Sequence, residues 1–140
     1  MSTETNKALV RRWIEEAINK QNLALVDELF TADYVNHYAP PELPRGPEGE
    51  KIFSTGFFHA FPDGRMTIEN LLAEGDQVAV RWMYRGTHTG NLMNIPPTGK
   101  QFSVQGLNIL RITDGKIAEN WASFDMMGLL QQLGAVPAGV

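Results

Sequence analysis

Residues 66–90 read MTIENLLAEGDQVAVRWMYRGTHTG, and this stretch decides the fold. It divides at EGDQ into two runs. In the second, Val78, Val80, Trp82 and Tyr84 alternate with Gln77, Arg81 and Arg85. A period of two marks a strand with one face packed and the other wet or paired. Both runs are therefore expected to be strands joined at EGDQ, and His88 falls on the buried parity.

The same period continues downstream. NLMNIPPTGK (91–100) is a long connection, and QFSVQGLNILRI (101–112) reads as a third strand. Phe102, Val104, Leu110 and Ile112 share one face of it with Asn108. TDGK is a tight-turn signal because Asp-Gly accepts positive φ. A fourth strand is expected from Ile117 to Phe124, then a short helix from Met126 to Leu133.

Upstream the spacing is helical. From Glu4 to Lys20 the residues Leu9, Val10, Trp13, Ile14, Ala17 and Ile18 make one broad apolar face. Asn22 is placed to cap a second helix, LALVDELF (23–30). TADYVNHYAPPELPRGPEG (31–49) is rich in Pro and Gly and reads as irregular. A third helix is expected over Glu48–Ala60, with Ile52, Phe53, Phe57, Phe58 and Phe61 as its apolar positions. FPDGR ends it.

Helices followed by an antiparallel meander give an α+β class in one domain, residues 1–140. The helices should lie across the concave face of a curved sheet and leave a cone-shaped cavity, the natural ligand site.

Composition narrows the function. The net charge is −4, and no basic patch offers itself to nucleic acid. The absence of cysteine removes disulfides, a cysteine nucleophile and thiolate metal sites. MSTETNKALVRRW lacks the apolar core of a signal peptide. No run reaches the roughly 18 apolar residues of a membrane span. A cytoplasmic protein without membrane contact is expected. His37, His59 and His88 lie far apart with no ligand spacing, so no metal is expected. GPEGEK is not a phosphate-binding loop, and Ser123 lacks a nucleophile-elbow context.

The order LVRRWIEEAINKQNLALVDELFTADYVNH, AFPDGRMTIENLLAEGDQVAVRWMYRGTHTG, IPPTGK, DGKIAENWASFD resembles the SnoaL-like polyketide cyclase (ester cyclase) family over roughly Asn6–Gly134. The resemblance implies the nuclear-transport-factor-2-like fold and ring closure by intramolecular aldol condensation without metal or cofactor. It gives Asp125 the role of general acid/base, and places Asn36 and His37 in the pocket. Characterised cyclases also use a histidine from the strand before the Asp-Gly turn. That strand has none here, and Asn108 is its nearest inward polar residue.

Asp125 can be a helix N-cap or a base, and the two roles are not exclusive. In a strand without a bulge, parity groups Trp121, Ser123 and Asp125 on the pocket face. His37 is a surface residue or an enolate donor. His88 is a second pocket donor or a residue that orders THTG. Trp13, Phe30, Phe57, Phe61, Trp82, Tyr84 and Trp121 are core residues, some of which should touch a small hydrophobic or aromatic ligand alongside Asn108. The alternatives are a binding protein without catalysis, or a hydrolase or isomerase in the same pocket. A ketosteroid-type isomerase would require a pocket acid near the third helix and a Tyr donor; Tyr34 and Tyr38 are present, in a context that does not match. Arg81, Met83, Arg85, Leu107, Ile109 and Arg111 make the outer sheet face too apolar for bare solvent, which points to a homodimer.

Overall fold

A computed structural model describes residues 2–135 of the chain. Helix α1 (Thr3–Arg12) is capped by Ser2, whose hydroxyl accepts from Thr5 N–H. It runs on as a π-helical segment, Trp13–Ile18. Asn19 N–H bonds Ile14 C=O, five residues back, which widens the coil. Trp13 and Ile18 thereby both reach the central cavity. The Asn19 side chain ends this segment by exchanging two hydrogen bonds with the Met66 backbone, both 2.8 Å.

Helix α2 (Ala24–Leu29) starts at Leu23 without a side-chain cap. Asn22 does not cap it; its backbone carbonyl instead closes a turn to Leu25 N–H. Phe30 leaves the helix to begin a strand. Helix α3 (Pro47–Ala60) has Pro in its first turn, where the missing N–H costs nothing.

The sheet contains β1 (Phe30–Asn36), β2 (Arg65–Glu74), β3 (Gln77–Thr87), β4 (Gln101–Thr113) and β5 (Lys116–Phe124). Their order is β1-β5-β4-β3-β2, and helix α4 (Met126–Gln132) follows. The meander β2–β5 matches the alternation: Val78, Val80, Trp82, Tyr84, Phe102, Val104, Leu110 and Ile112 are all buried. Asp114 and Gly115, at φ 52° and 76°, form the expected turn.

Strand β1 departs from the expected irregular segment, and the sheet is not wholly antiparallel. β1 lies parallel to β5, with Val35 opposite Glu119 and Asn36 opposite Asn120. The free edge of β5 offers unpaired backbone groups, and residues 30–36 satisfy them. Phe30 and Tyr34 point inward and pack edge to face at 4.6 Å.

Strand β5 carries a bulge that decides the site. Ile117 pairs with Ile112 and Glu119 with Arg111, which leaves Ala118 as an extra residue. One extra residue reverses every side chain beyond it. The inward set is therefore Asn120, Ala122 and Phe124, which line the cavity, while Trp121 and Ser123 face outward.

Candidate active site

The cavity lies between the concave sheet face, the π-helical segment and α3. Trp13, Phe57, Trp82 and Tyr84 give it apolar walls. Its polar groups gather at one end, around Glu50. Glu50, Phe53, Ser54 and Phe57 are spaced i, i+3, i+4, i+7, so one stripe of α3 presents all four to the cavity. Two glycines hold this stripe in place. A Cβ on Gly49 would collide with the Pro44 carbonyl, and one on Gly46 (φ +83°) with that of Ala32. Gly46 N–H also donates to Tyr34 C=O at 2.7 Å, which brings the start of α3 against β1.

Glu50 is buried and fully hydrogen-bonded. Tyr34 Oη donates to its Oε1 at 2.8 Å, and Ser54 Oγ donates to Oε2 at 3.0 Å. Behind Tyr34 a chain of buried groups crosses the sheet. Asn120 Nδ2 donates to Tyr34 Oη at 3.2 Å, and Asn108 Nδ2 to Asn120 Oδ1 at 2.7 Å. Trp82 Nε1 donates to Asn108 Oδ1 at 2.6 Å. Burial raises the Glu50 pKa from 4.5 to about 7, against the pull of hydrogen bonds from Tyr34, Ser54 and Asn36. Burial also raises the Tyr34 pKa well above the usual phenol value, with the Glu50 charge adding to it. Tyr34 is therefore a donor that keeps its proton, and Glu50 is a carboxyl that exchanges one near neutral pH.

Sequence reasoning did not single out Glu50. Its signal was a charge on the apolar stripe of the third helix, in register with Phe53 and Phe57.

Of the residues expected at the site, Asn36, Trp13, Phe57, Trp82, Tyr84 and Asn108 line the cavity. Phe30 and Phe61 are buried core residues behind it. Trp121 sits on the outer face with its ring stacked on His37, centroids 4.9 Å apart. His37 Nε2 lies 2.8 Å from Glu119 Oε2, and Arg111 holds the other oxygen of Glu119 at 2.6 Å. Those two partners, His37 first, keep the Glu119 carboxyl below its usual pKa. His37 is thus part of an exposed cluster and not of the cavity wall.

His88 is fully buried but lies outside the cavity lining. Its Nδ1 accepts from Thr98 N–H at 3.3 Å, and its backbone bonds Gly99 and Lys100. It anchors the 91–100 connection. Asp125 is exposed, and its Oδ1 accepts from Gly128 N–H at 2.8 Å. It is the N-cap of α4, and the bulge in β5 is why its strand parity no longer aims it inward. The polar groups converge on Glu50 instead. Among the described residues no three His, Asp or Glu side chains gather in a metal-binding group, and no helix is long and apolar enough to cross a membrane.

The sequence model of SnoaL-like polyketide cyclases matches residues 8–133. The chain belongs to the SnoaL-like polyketide cyclase family. Aklanonic acid methyl ester cyclase DnrD of Streptomyces peucetius is 36% identical over 96% of this chain and 92% of its own length. Nogalonic acid methyl ester cyclase of Streptomyces nogalater is 34% identical over 78% of this chain and 83% of its own. The structure of TsrD from Streptomyces laurentii superposes with a TM-score of 0.89 at 28% identity, covering 97% of this chain and 99% of TsrD. Within this SnoaL-like chain, cutting the Asp125 cap (Asp125→Ala) should lower stability by about 1 kcal/mol. Its activity should stay within a few-fold of wild type; thermal melts and steady-state rates on a verified substrate check both.

Proposed function

We propose that this chain is a cofactor-independent cyclase in which Glu50 moves the proton of an aldol-type ring closure on a small hydrophobic, aromatic substrate. The observation that carries the reading is the buried Glu50 carboxyl, held by Tyr34 and Ser54 at the polar end of an aromatic cavity. Aklanonic acid methyl ester and nogalonic acid methyl ester, for which the relatives are named, are the first substrates to try.

Glu50 as carboxylate takes a proton from the carbon next to a carbonyl. The enolate oxygen needs donors in a water-poor site. Each asparagine amide has two N–H bonds. Asn108 spends one on Asn120, and Asn120 one on Tyr34, which leaves spare N–H groups on side chains that line the cavity. The enolate carbon then attacks the second carbonyl of the same molecule. A C–C bond forms, the C=O π bond breaks, and the alkoxide recovers the proton from Glu50. Atoms and charge balance without an added reagent. The cavity walls supply the alignment that makes such a step unimolecular.

A second reading keeps the same acid: an isomerase would also need only a buried carboxyl on the third helix, although Tyr34 spends its one O–H on Glu50 Oε1 and the donors to the enolate oxygen would again be the asparagine amides. The same Glu50 would then return the proton to a different carbon. Product NMR separates the two, because a cyclase creates a C–C bond and an isomerase only moves a double bond.

The outer sheet face supports a homodimer. Leu72, Ala79, Ile109 and Trp121 are paired in register from β2 to β5, and Leu72, Ile109 and Trp121 remain exposed. Light scattering at micromolar concentration should give twice the chain mass for wild type and the monomer mass for Ile109→Asp. A monomeric wild type would defeat the assignment.

A further inference from the structure

We propose that Trp82 is a positioning residue for this chemistry. Its indole N–H sets the direction of the Asn108–Asn120–Tyr34 relay, so that Tyr34 keeps its proton on Glu50 Oε1 and the abstracted proton is carried on Oε2. The inference rests on Glu50 as the base and adds to it what orients that base.

The direction follows from donor and acceptor chemistry alone. An indole nitrogen can only donate. The Asn108 atom 2.6 Å from Trp82 Nε1 must therefore be its oxygen. That turns the Asn108 amide nitrogen toward Asn120, so the atom receiving it is the Asn120 oxygen. The Asn120 nitrogen then faces Tyr34 Oη. A hydroxyl receiving an N–H has its own proton free, and the Glu50 carboxyl is its acceptor. One donor-only group at the end of the row fixes both amides.

The consequence falls on the two Glu50 oxygens. Were the relay reversible, a protonated Oε1 could donate to Tyr34 and Tyr34 to Asn120. Asn120 presents N–H at that point, so the reversal leaves two donors face to face. A proton arriving at Glu50 therefore goes to Oε2, whose partner Ser54 Oγ can rotate to accept. Tyr34 is the titratable group against Glu50, and Ser54 and Asn36 are its neutral neighbours.

The packing around Trp82 serves this aim. Trp82 stands opposite Gly106 in the β3–β4 register. A Cβ at position 106 would enter the indole ring and also press on the Phe124 Cβ, and the Trp82 and Phe124 rings pack with centroids 6.0 Å apart.

The test is a carboxyl carbon-13 NMR titration of the full chain labelled in glutamate, with the Glu50 signal identified by its loss in Glu50→Gln. Trp82→Phe keeps an aromatic ring and removes the N–H. The Glu50 titration should move upward by roughly half a pH unit or more, because the carboxylate loses support at the far end of a polarised chain. Asn108→Leu cuts the relay one link nearer and should move it at least as far; it serves where Trp82→Phe does not fold. Tyr84→Phe, which also alters the cavity wall but lies outside the relay, should leave it in place. An unchanged Glu50 titration in a folded Trp82→Phe or Asn108→Leu protein overturns the proposal. Retention of full ring-closing activity in Glu50→Gln would instead overturn the assignment of the base, whatever the titrations show.

Discussion

Replacing Glu50 with Gln is expected to lower kcat/KM for ring closure by about 10²–10⁴-fold, the usual contribution of a positioned base. The substitution keeps the size and shape of the side chain. Tyr34 can still donate to its Oε1, and the amide can donate to Ser54, so the cavity should keep its form. Only the capacity to accept a proton is lost. Wild-type activity should rise with pH as Glu50 ionises, with the acid limb centred at about 7. The variant's residual rate should show no such limb. The measurement is a pH series of kcat/KM for both proteins on a substrate whose cyclised product has been identified. A variant within tenfold of wild type, with the limb intact, would place the base elsewhere.

Much of the frame was legible in the sequence. Alternation from Val78 to Tyr84 and from Phe102 to Ile112 is a local property of each strand, and tertiary packing had no reason to override it. Asn108 was legible on the inward face for the same reason. Strand β1 was not, because its partner β5 comes from the other end of the chain and nothing in TADYVN announces a parallel pairing. The bulge at Ala118 was also hidden. Ile117 and Ala118 are both small enough and apolar enough to be buried together, so the extra residue leaves no mark on the pattern. Its effect is nevertheless large. It turned Asn120 inward and Trp121 outward, and it took Asp125 off the inward parity, where its carboxylate caps α4. Glu50 was half legible. A carboxylate on the apolar stripe of α3 is costly unless something pairs with it. The groups that do so, Tyr34 and Ser54 with Asn36 beside them, come partly from a segment whose strand could not be foreseen. A site assembled from α3, β1, β4 and β5 can be inferred residue by residue only once the register between those elements is known.

The stability of the fold should carry the mark of the same carboxyl. In the folded chain Glu50 has its pKa raised from 4.5 to about 7, first of all by burial. Between those two values the folded protein holds a proton that the unfolded chain has released. Stability must therefore fall as pH rises through this window. The contribution is fully present below pH 4.5 and is gone above about 7; its size corresponds to about 3 kcal/mol at 1.36 kcal/mol per pH unit. Asp63 and Glu119 are held below their usual values. They act with the opposite sign and at lower pH, where stability is lost as they take up protons, so they leave the upper window to Glu50. Glu50→Gln removes the titration while keeping hydrogen bonds to Tyr34 and Ser54. Urea unfolding of both proteins at pH 5, 6, 7 and 8 should show wild type losing stability relative to the variant across the series. The variant should be the more stable protein at pH 8. Parallel pH dependences for the two would mean that the folded chain does not hold the Glu50 proton more tightly than the unfolded one, and the carboxyl would lose its standing as a base tuned to neutral pH.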